Sequence, residues 1–500
     1  MTTMTAGDPA PSPSPSSPPP DPGPPGRGGA GPRALIHRMH SIAGVFVAPL
    51  LLIAALTGLG YAAAPTLEAV LHQQEFTAPS TLPDRPVAER IDAAARVHPD
   101  LPVTALRLPA DSAETTRVLF ADPGLGEPRA RRAVFVDAGD LAVRGDAVQY
   151  GGSALVLRNW LAEGHGSLWL GAPGRLYAET AASWLGALTL GGLWLWWDRR
   201  RRTRRRAAAG PRRAPRAESA RATQLRRHSR AGVWLAAGLL FLTFTGLTWS
   251  LVAGEAIGAV RGAFGWYAPT PAVVAGAPAA GHGHGHGHSG HGAAPAPDPA
   301  ASRELAGQAD LVVDRARRAG LTGVLDVALP EAPGQAWRVT EARVPWRFSR
   351  DAVTVDGATG ELVDRVDFAD WPFAAKATEW LIGAHAGRLL GWVNQLALAG
   401  IAVGLIALIL RGYRMWFLRG RDGRPGRLAP PSRWRALRPV PTAAVVLAIL
   451  AYSALAPMFG LSLLLFLVLD GAWRVLPRRR ARRAGATGGA APMEADKLRI

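Results

Sequence analysis

Apolar runs of about 20 residues recur in this chain, at 41–63, 177–197, 231–253 and 389–410, and that length is what a helix needs to cross ~30 Å of hydrocarbon. In lipid, the backbone of such a segment must satisfy its own hydrogen bonds, which commits each run to a helix. A fifth apolar block, 440–476, is broken by Pro457 and Gly460 and is expected to turn back on itself as a tight hairpin. The expected fold is a membrane α-helical bundle of four core transmembrane helices plus a C-terminal hairpin. Residues 62–64 read Ala-Ala-Ala, as a signal-peptidase site would, but the run before them is long for a signal peptide and Pro65 would follow the cut. The first run therefore reads as an uncleaved anchor.

The formal charge of +19 is not a nucleic-acid footprint, because it gathers between particular runs. Residues 199–230 hold fourteen Arg against one Glu, and 411–439 and 478–483 are also Arg-rich. By the positive-inside rule these stretches face the cytoplasm. Alternation then puts the N-terminus inside, 65–176 and 254–388 outside, and the tail 477–500 inside. Residues 1–32, rich in Pro, Ser and Gly, are expected to be disordered. Zero cysteines exclude disulfides, thiolate metal sites and iron–sulfur clusters.

The chain repeats itself. With an offset of 188, His40, Ser41 and Gly44 fall on His228, Ser229 and Gly232, and Thr57, Gly58 and Leu59 fall on Thr245, Gly246 and Leu247. His165 precedes Trp196 by 31 residues, as His385 precedes Trp416. The expected organisation is a tandem duplication of span, external segment, span. In the first external segment 87–97 has helical spacing, and 103–108, 115–120 and 133–137 read as strands. In the second, 305–320 reads as a helix, and strands are expected near 323–329, 335–341, 351–356 and 361–367, the last two joined by the DGATG turn. Each segment is thus expected to form a small α+β domain.

The motifs HSIAG with LTGL, HSRAG with FTGL, EGHGSLWLG and GAHAGRLLG resemble the PepSY-associated transmembrane family over roughly 35–416. That family includes inner-membrane siderophore reductases and iron-regulated membrane proteins. The resemblance implies two PepSY-like external domains and b-type haem held by histidines at these positions.

The residues point the same way. His40 and His228 stand at one face of the membrane, His165 and His385 at the other. Haem iron takes two axial imidazoles, so depth matching pairs His40 with His228 and His165 with His385, as ligands of two bis-histidine haems b. Gly44, Gly58, Gly232 and Gly246 would let a macrocycle lie against backbone, and Arg33, Arg38, Arg226 and Arg227 could pair with its propionates. His37 shares a helix face with His40 and competes with it, although the repeat favours His40. The competing reading makes these histidines ordinary interfacial polar residues and the glycines helix-packing contacts.

A separate feature, GHGHGHGHSGHG at 281–292, carries His282, His284, His286, His288 and His291. Histidines so spaced can wrap Zn or Cu, and the competing reading is a low-complexity loop. His72 and His98 lie outside the repeat and read as surface residues, and tryptophans at span ends fit an aromatic belt. There is no dinucleotide fingerprint, P-loop, catalytic triad or HExxH motif, so neither NAD(P)H oxidation nor hydrolysis has a site. The function expected is a haem-containing electron conduit in a bacterial cytoplasmic membrane. It would be fed by a quinol or a cytosolic reductase and, from the resemblance, would reduce a ferric siderophore outside. The alternatives are a non-catalytic PepSY sensor or protease regulator, and a metal or siderophore transporter.

Overall fold

The computed structural model describes residues 32–208, 218–275, 280–281, 298–420, 439–469 and 472. The N-terminal tail, the histidines of 282–291, most of the basic loop after 420 and the C-terminal tail lie outside the described residues.

Helix α1 (Pro32–Phe46) runs almost unbroken into α2 (Ala48–Leu71), because Val47 keeps helical torsions and its amide still bonds the Ala43 carbonyl at 2.8 Å. The single turn α3 (Gln73–Phe76) leads to α4 (Val87–Ala95) and to strands β1 (Val103–Leu108), β2 (Thr116–Phe120), β3 (Ala130–Val136) and β4 (Val143–Tyr150). Two helices then return to the bundle, α5 (Val156–Ser167) and α6 (Gly171–Ala208), followed by α7 (Ala220–Leu247) and α8 (Val252–Ala263). A two-residue ladder of β5 (Pro269–Thr270) and β6 (Ala280–Gly281) precedes α9 (Pro299–Ala306) and α10 (Ala309–Arg318). Strands β7 (Leu325–Ala328), β8 (Trp337–Glu341), β9 (Ala352–Val355) and β10 (Leu362–Val366) complete the sheet, and α11 (Phe373–His385), α12 (Gly391–Phe417) and α13 (Pro439–Leu455) complete the bundle.

Among the described residues, three helices are long and apolar enough to cross a membrane: α2, α7 and α12. The expected second span lies inside α6, whose apolar stretch is diluted by Glu179, Thr180, Ser183 and Thr189. Glu179 is buried for a structural reason. Its carboxylate accepts from the amides of Val252 at 2.8 Å and Ala253 at 2.9 Å, capping the positive end of α8. Helix α6 packs along α7, and α12 along α2 and α7, around a core that includes Trp184, Leu239, Leu405 and Leu408.

The C-terminal block folds back at Ala456. A Cβ on Gly460 would stand 2.8 Å from Cβ of Ser453, whereas seven residues of continuous helix would separate them by roughly 10 Å. Pro457, which has no amide proton to donate, opens the returning segment Pro457–Leu469.

The two segments expected as separate domains form one antiparallel eight-stranded sheet in the order β10-β9-β8-β7-β1-β2-β3-β4. The two segments join at their edges: β1 and β7 would each leave a ladder of amides and carbonyls unpaired, and they pair with each other from Ala105 with Ala328 to Leu108 with Leu325. Side chains lock the same junction. Asp310 on α10 accepts from the first amides of α4, Val87 N at 2.6 Å and Ala88 N at 3.1 Å, and Ser302 Oγ accepts from Val103 N at 3.1 Å. Helices α4, α9 and α10 cover one face around Val118, Phe120, Trp337 and Val353. Strand β4 was not legible, since VRGDAVQY lacks apolar alternation and is mostly part-exposed. The single helix expected over 305–320 is two, divided at Gly307 and Gln308.

Candidate functional site

Four histidines meet in two pairs. His40 on α1 and His228 on α7 have ring centroids 6.4 Å apart, and His165 on α5 and His385 on α11 have centroids 6.5 Å apart. The first pair lies at the arginine-rich end of the bundle and the second at the end that carries the sheet. From His40 to the level of Thr57, or from His228 to Thr245, is about 25 Å of helix at 1.5 Å per residue, so the pairs are separate sites. His165 and His385 do not sit on the long helices that follow them. Each ends a short helix, and left-handed residues break the chain behind it: Leu168 (φ 54°) and Trp169 (φ 56°) in one case, Gly387 (φ 72°) in the other.

At the sheet end, the hydrogen bonds fix where each imidazole proton sits. His165 Nδ1 lies 3.0 Å from the Ala54 carbonyl and 3.3 Å from Thr57 Oγ1. A carbonyl only accepts, so Nδ1 carries the proton. His385 Nδ1 lies 2.6 Å from Thr245 Oγ1. The Thr245 hydroxyl gives its own proton to the Phe241 carbonyl at 2.7 Å, so its oxygen accepts from His385. Thr57 repeats the device, donating to Ile53 O at 2.8 Å. In the neutral ring this leaves the Nε2 lone pair of each histidine free, the form that ligates a metal.

Glycine follows each threonine, and here the expected role of Gly58 and Gly246 changes. A Cβ at Gly58 would stand 3.0 Å from Cε1 of His165, and one at Gly246 would stand 3.8 Å from Cε1 of His385. These glycines seat the histidine rings and leave no gap for a macrocycle. Phe241 and Trp249 flank His385, with centroids 6.5 and 5.2 Å away.

The arginine end is more open. A cavity of ≈ 310 Å³ is lined by His37, His40 and His228, by Gly44 and Gly232, and by Arg33, Arg199, Arg221 and Arg419. A Cβ on Gly44 would meet nothing within 4 Å, and one on Gly232 only Leu408 Cδ2 at 4.0 Å, so these two glycines do present bare backbone to open space. His228 Nδ1 donates to the Leu408 carbonyl at 3.2 Å, while Nδ1 of His40 is buried without a hydrogen bond of good geometry. His37 lines the cavity but forms no ring pair with His228. Of the arginines expected beside a ligand only Arg33 lines the space; Arg226 is exposed and paired with Glu218 at 2.9 Å. Arg199, Arg221 and Arg419 were missed because the arginine runs offer many candidates and sequence does not say which face inward. His72 and His98 lie in the sheet domain, on Glu75 at 3.3 Å and Asp146 at 2.7 Å.

Among the described residues no group of three or more His, Asp or Glu is arranged to hold a metal ion by itself. What the structure offers is paired imidazoles, each pair able to supply two ligands and leave the remaining ligands to a group bound between them. No curated protein gives a significant match to the chain. One family does match, over residues 37–419, a span that takes in all four paired histidines and the whole sheet: the chain belongs to the family described as the PepSY-associated TM region.

Proposed function

We propose that this membrane protein is an electron-transfer protein that holds two haems b, each between two histidines, and reduces a ferric chelate on the sheet side. The observation that carries this reading is the spacing of the pairs. Two imidazoles sharing one iron, with metal–nitrogen bonds of about 2 Å, have ring centres roughly 6.3 Å apart, against 6.4 and 6.5 Å here. The groove at the arginine end fits a flat anionic ring: apolar walls, two bare glycines and four arginines at its margin. His40 and His228 would hold one haem, and His165 and His385 the other. Haem supplies one-electron redox chemistry; the chain supplies ligands in the correct tautomer, burial from water and orientation.

In this reading 177–197 is a fourth core span and the two halves of the chain descend from a tandem duplication, supported by the 188-residue offset and by the order of strands on either side of the β7–β1 junction. The arginine-rich end faces the cytoplasm of a bacterial cell and meets a quinol or a soluble reductase; the sheet faces outward, where a ferric siderophore is the proposed acceptor. The histidines of 282–291 form a separate Zn or Cu site. Purified protein should show a haem Soret band that shifts, with sharpened α and β bands, on adding dithionite. A protein purified from haem-replete cells with no such bands would sink the reading and favour a sensor or a transporter.

A further inference from the structure

Above the sheet-end histidines, the loop 342–350 folds over α11 and encloses a partly open pocket of ≈ 30 Å³. Four guanidinium groups line it, from Arg343, Arg347, Arg350 and Arg388, against one carboxylate, Glu379. Glu379 is already engaged by Arg343 through both Nε and Nη2, the latter at 2.6 Å. Arg347 is committed to Glu341 and, at 3.0 Å each, to the carbonyl and hydroxyl of Thr322. Arg350 uses only Nε, on the Glu341 carbonyl at 3.3 Å. Arg388 faces Tyr61 and Glu379, but its guanidinium makes no hydrogen bond among the described residues, and its Nε is shut off from solvent. Each guanidinium carries five N–H donors, so the pocket gathers donors that lack acceptors, an arrangement that burial makes costly.

The backbone supports a built site. Trp346 has φ 67°, a conformation bulky residues rarely adopt. Its amide donates to the Leu389 carbonyl at 2.8 Å, which pins the arginine loop onto the turn that carries Arg388.

We propose that this pocket is an oxyanion site that takes a carboxylate, with Arg350 and Arg388 as its donors. The volume suits two or three water-sized centres of about 10–15 Å³ each, the size of one carboxylate, and guanidinium forks bind that planar group in pairs of parallel hydrogen bonds. The carboxylate has two sources: a propionate of a haem held at His165 and His385, or a carboxylate of an incoming ferric chelate. Gly383, two residues before His385, and Arg388, three residues after it, both line the pocket. The pocket stands on its own residues, and only the choice of source rests on the haem reading.

The test is calorimetric titration of citrate into full-length protein in detergent, prepared haem-free from haem-starved cells and also haem-loaded, with neutral iron(III) tris-acetohydroxamate as control. Haem-free protein should bind citrate and not the control. Arg388→Gln and Arg350→Gln should each weaken citrate about tenfold or more, with Arg388→Lys intermediate and thermal unfolding unchanged. If haem loading abolishes citrate binding and Arg388→Gln shifts the reduction potential of the sheet-end haem, the occupant is a propionate. If loaded protein still binds citrate, the occupant comes with the chelate. Citrate binding absent from haem-free protein, or equal in wild type and both glutamine variants, together with an unmoved potential, overturns the proposal. Binding as described in a protein that never takes up haem would leave the pocket standing and remove the proposed function instead.

Discussion

The two histidine pairs share a ring spacing, 6.4 and 6.5 Å, and each has a ring set close on glycine, His165 on Gly58 and His40 on Gly192, but they differ in hydrogen bonding and in open space. At the sheet end each ring is tied through Nδ1 to a threonine of a crossing helix, seated on the glycine that follows, and, for His385, walled by Phe241 and Trp249. At the arginine end one ring leans on a main-chain carbonyl, the other has no good hydrogen bond, and both border a cavity of ≈ 310 Å³ rimmed with arginine. The contrast separates two ways of making a ligand pair. One fixes the tautomer and orientation beforehand, so that little is lost when a metal arrives. The other keeps space and positive charge for the body and acidic edge of the ligand, and lets binding set the last ring.

Removing a ligand breaks the comparison most severely. His40→Ala and His228→Ala should each empty the arginine-end site, and His165→Ala and His385→Ala the sheet-end site, every variant keeping about half the haem absorbance. Ferric-chelate reduction driven from the arginine end should fall to background in all four, because either loss interrupts the path. Full haem content in all four variants would falsify the conduit. His37→Ala should keep both haems; loss of one there with retention in His40→Ala would move the ligand by one helical turn.

Filling space should act next most strongly, and in opposite ways at the two ends. Gly232→Leu projects into open cavity, so it should exclude the arginine-end haem while leaving the apo-protein's melting temperature unchanged. Gly58→Ala drives a Cβ to 3.0 Å from the His165 ring, overpacking that typically costs about 1–3 kcal/mol. It should lower stability and sheet-end haem together, whereas Gly246→Ala, whose Cβ would make an ordinary contact at 3.8 Å with the His385 ring, should be mild. Thermal melts beside haem quantitation separate the two patterns. Equal stability loss in Gly232→Leu and Gly58→Ala would erase the distinction between an open and a seated site.

Much of this site was legible in the chain, and the reasons for what was not are physical. The 188-residue offset marked His40 with His228 and Thr57-Gly58 with Thr245-Gly246 as repeated positions. It could not say which neighbour each one touches, so Gly58 and Gly246 read as room for a macrocycle when they are room for imidazoles. The threonines carried no signal beyond repetition, because a hydroxyl acting on a ring 108 or 140 residues away is a tertiary fact. Long apolar runs marked α2, α7 and α12; the fourth run, 177–197, fell inside α6, which its polar residues, Glu179 among them, set apart from the other three. Alternating strands were mostly placed, but the pairing of β1 with β7 that fuses the two segments depends on edges meeting in space, which periodicity does not encode.

The finest distinction lies within the sheet-end pair, where the two threonines are not equivalent. His165 Nδ1 has a second acceptor, the Ala54 carbonyl at 3.0 Å, closer than Thr57 Oγ1 at 3.3 Å, while His385 Nδ1 has, among the described residues, only Thr245, at 2.6 Å. Thr245→Val therefore leaves a buried N–H without a partner, and Thr57→Val does not. Replacing a partner that orients a metal-bound histidine commonly weakens binding about 10- to 100-fold. Thr245→Val should fall in that range for the sheet-end haem and raise its reduction potential, because a ring whose Nδ1–H has lost its acceptor is a weaker base and stabilises ferric iron less; its low-spin signal in electron paramagnetic resonance should broaden. Thr57→Val should change affinity less than about threefold, a bound set by the carbonyl that remains to hold the proton. Serine at either position keeps the hydroxyl and its donation to the helix carbonyl, so Thr245→Ser should restore the wild-type spectrum. If valine at 57 and at 245 act alike, or serine fails where valine fails, the threonines serve packing alone and the sheet-end rings are oriented by their glycine seats.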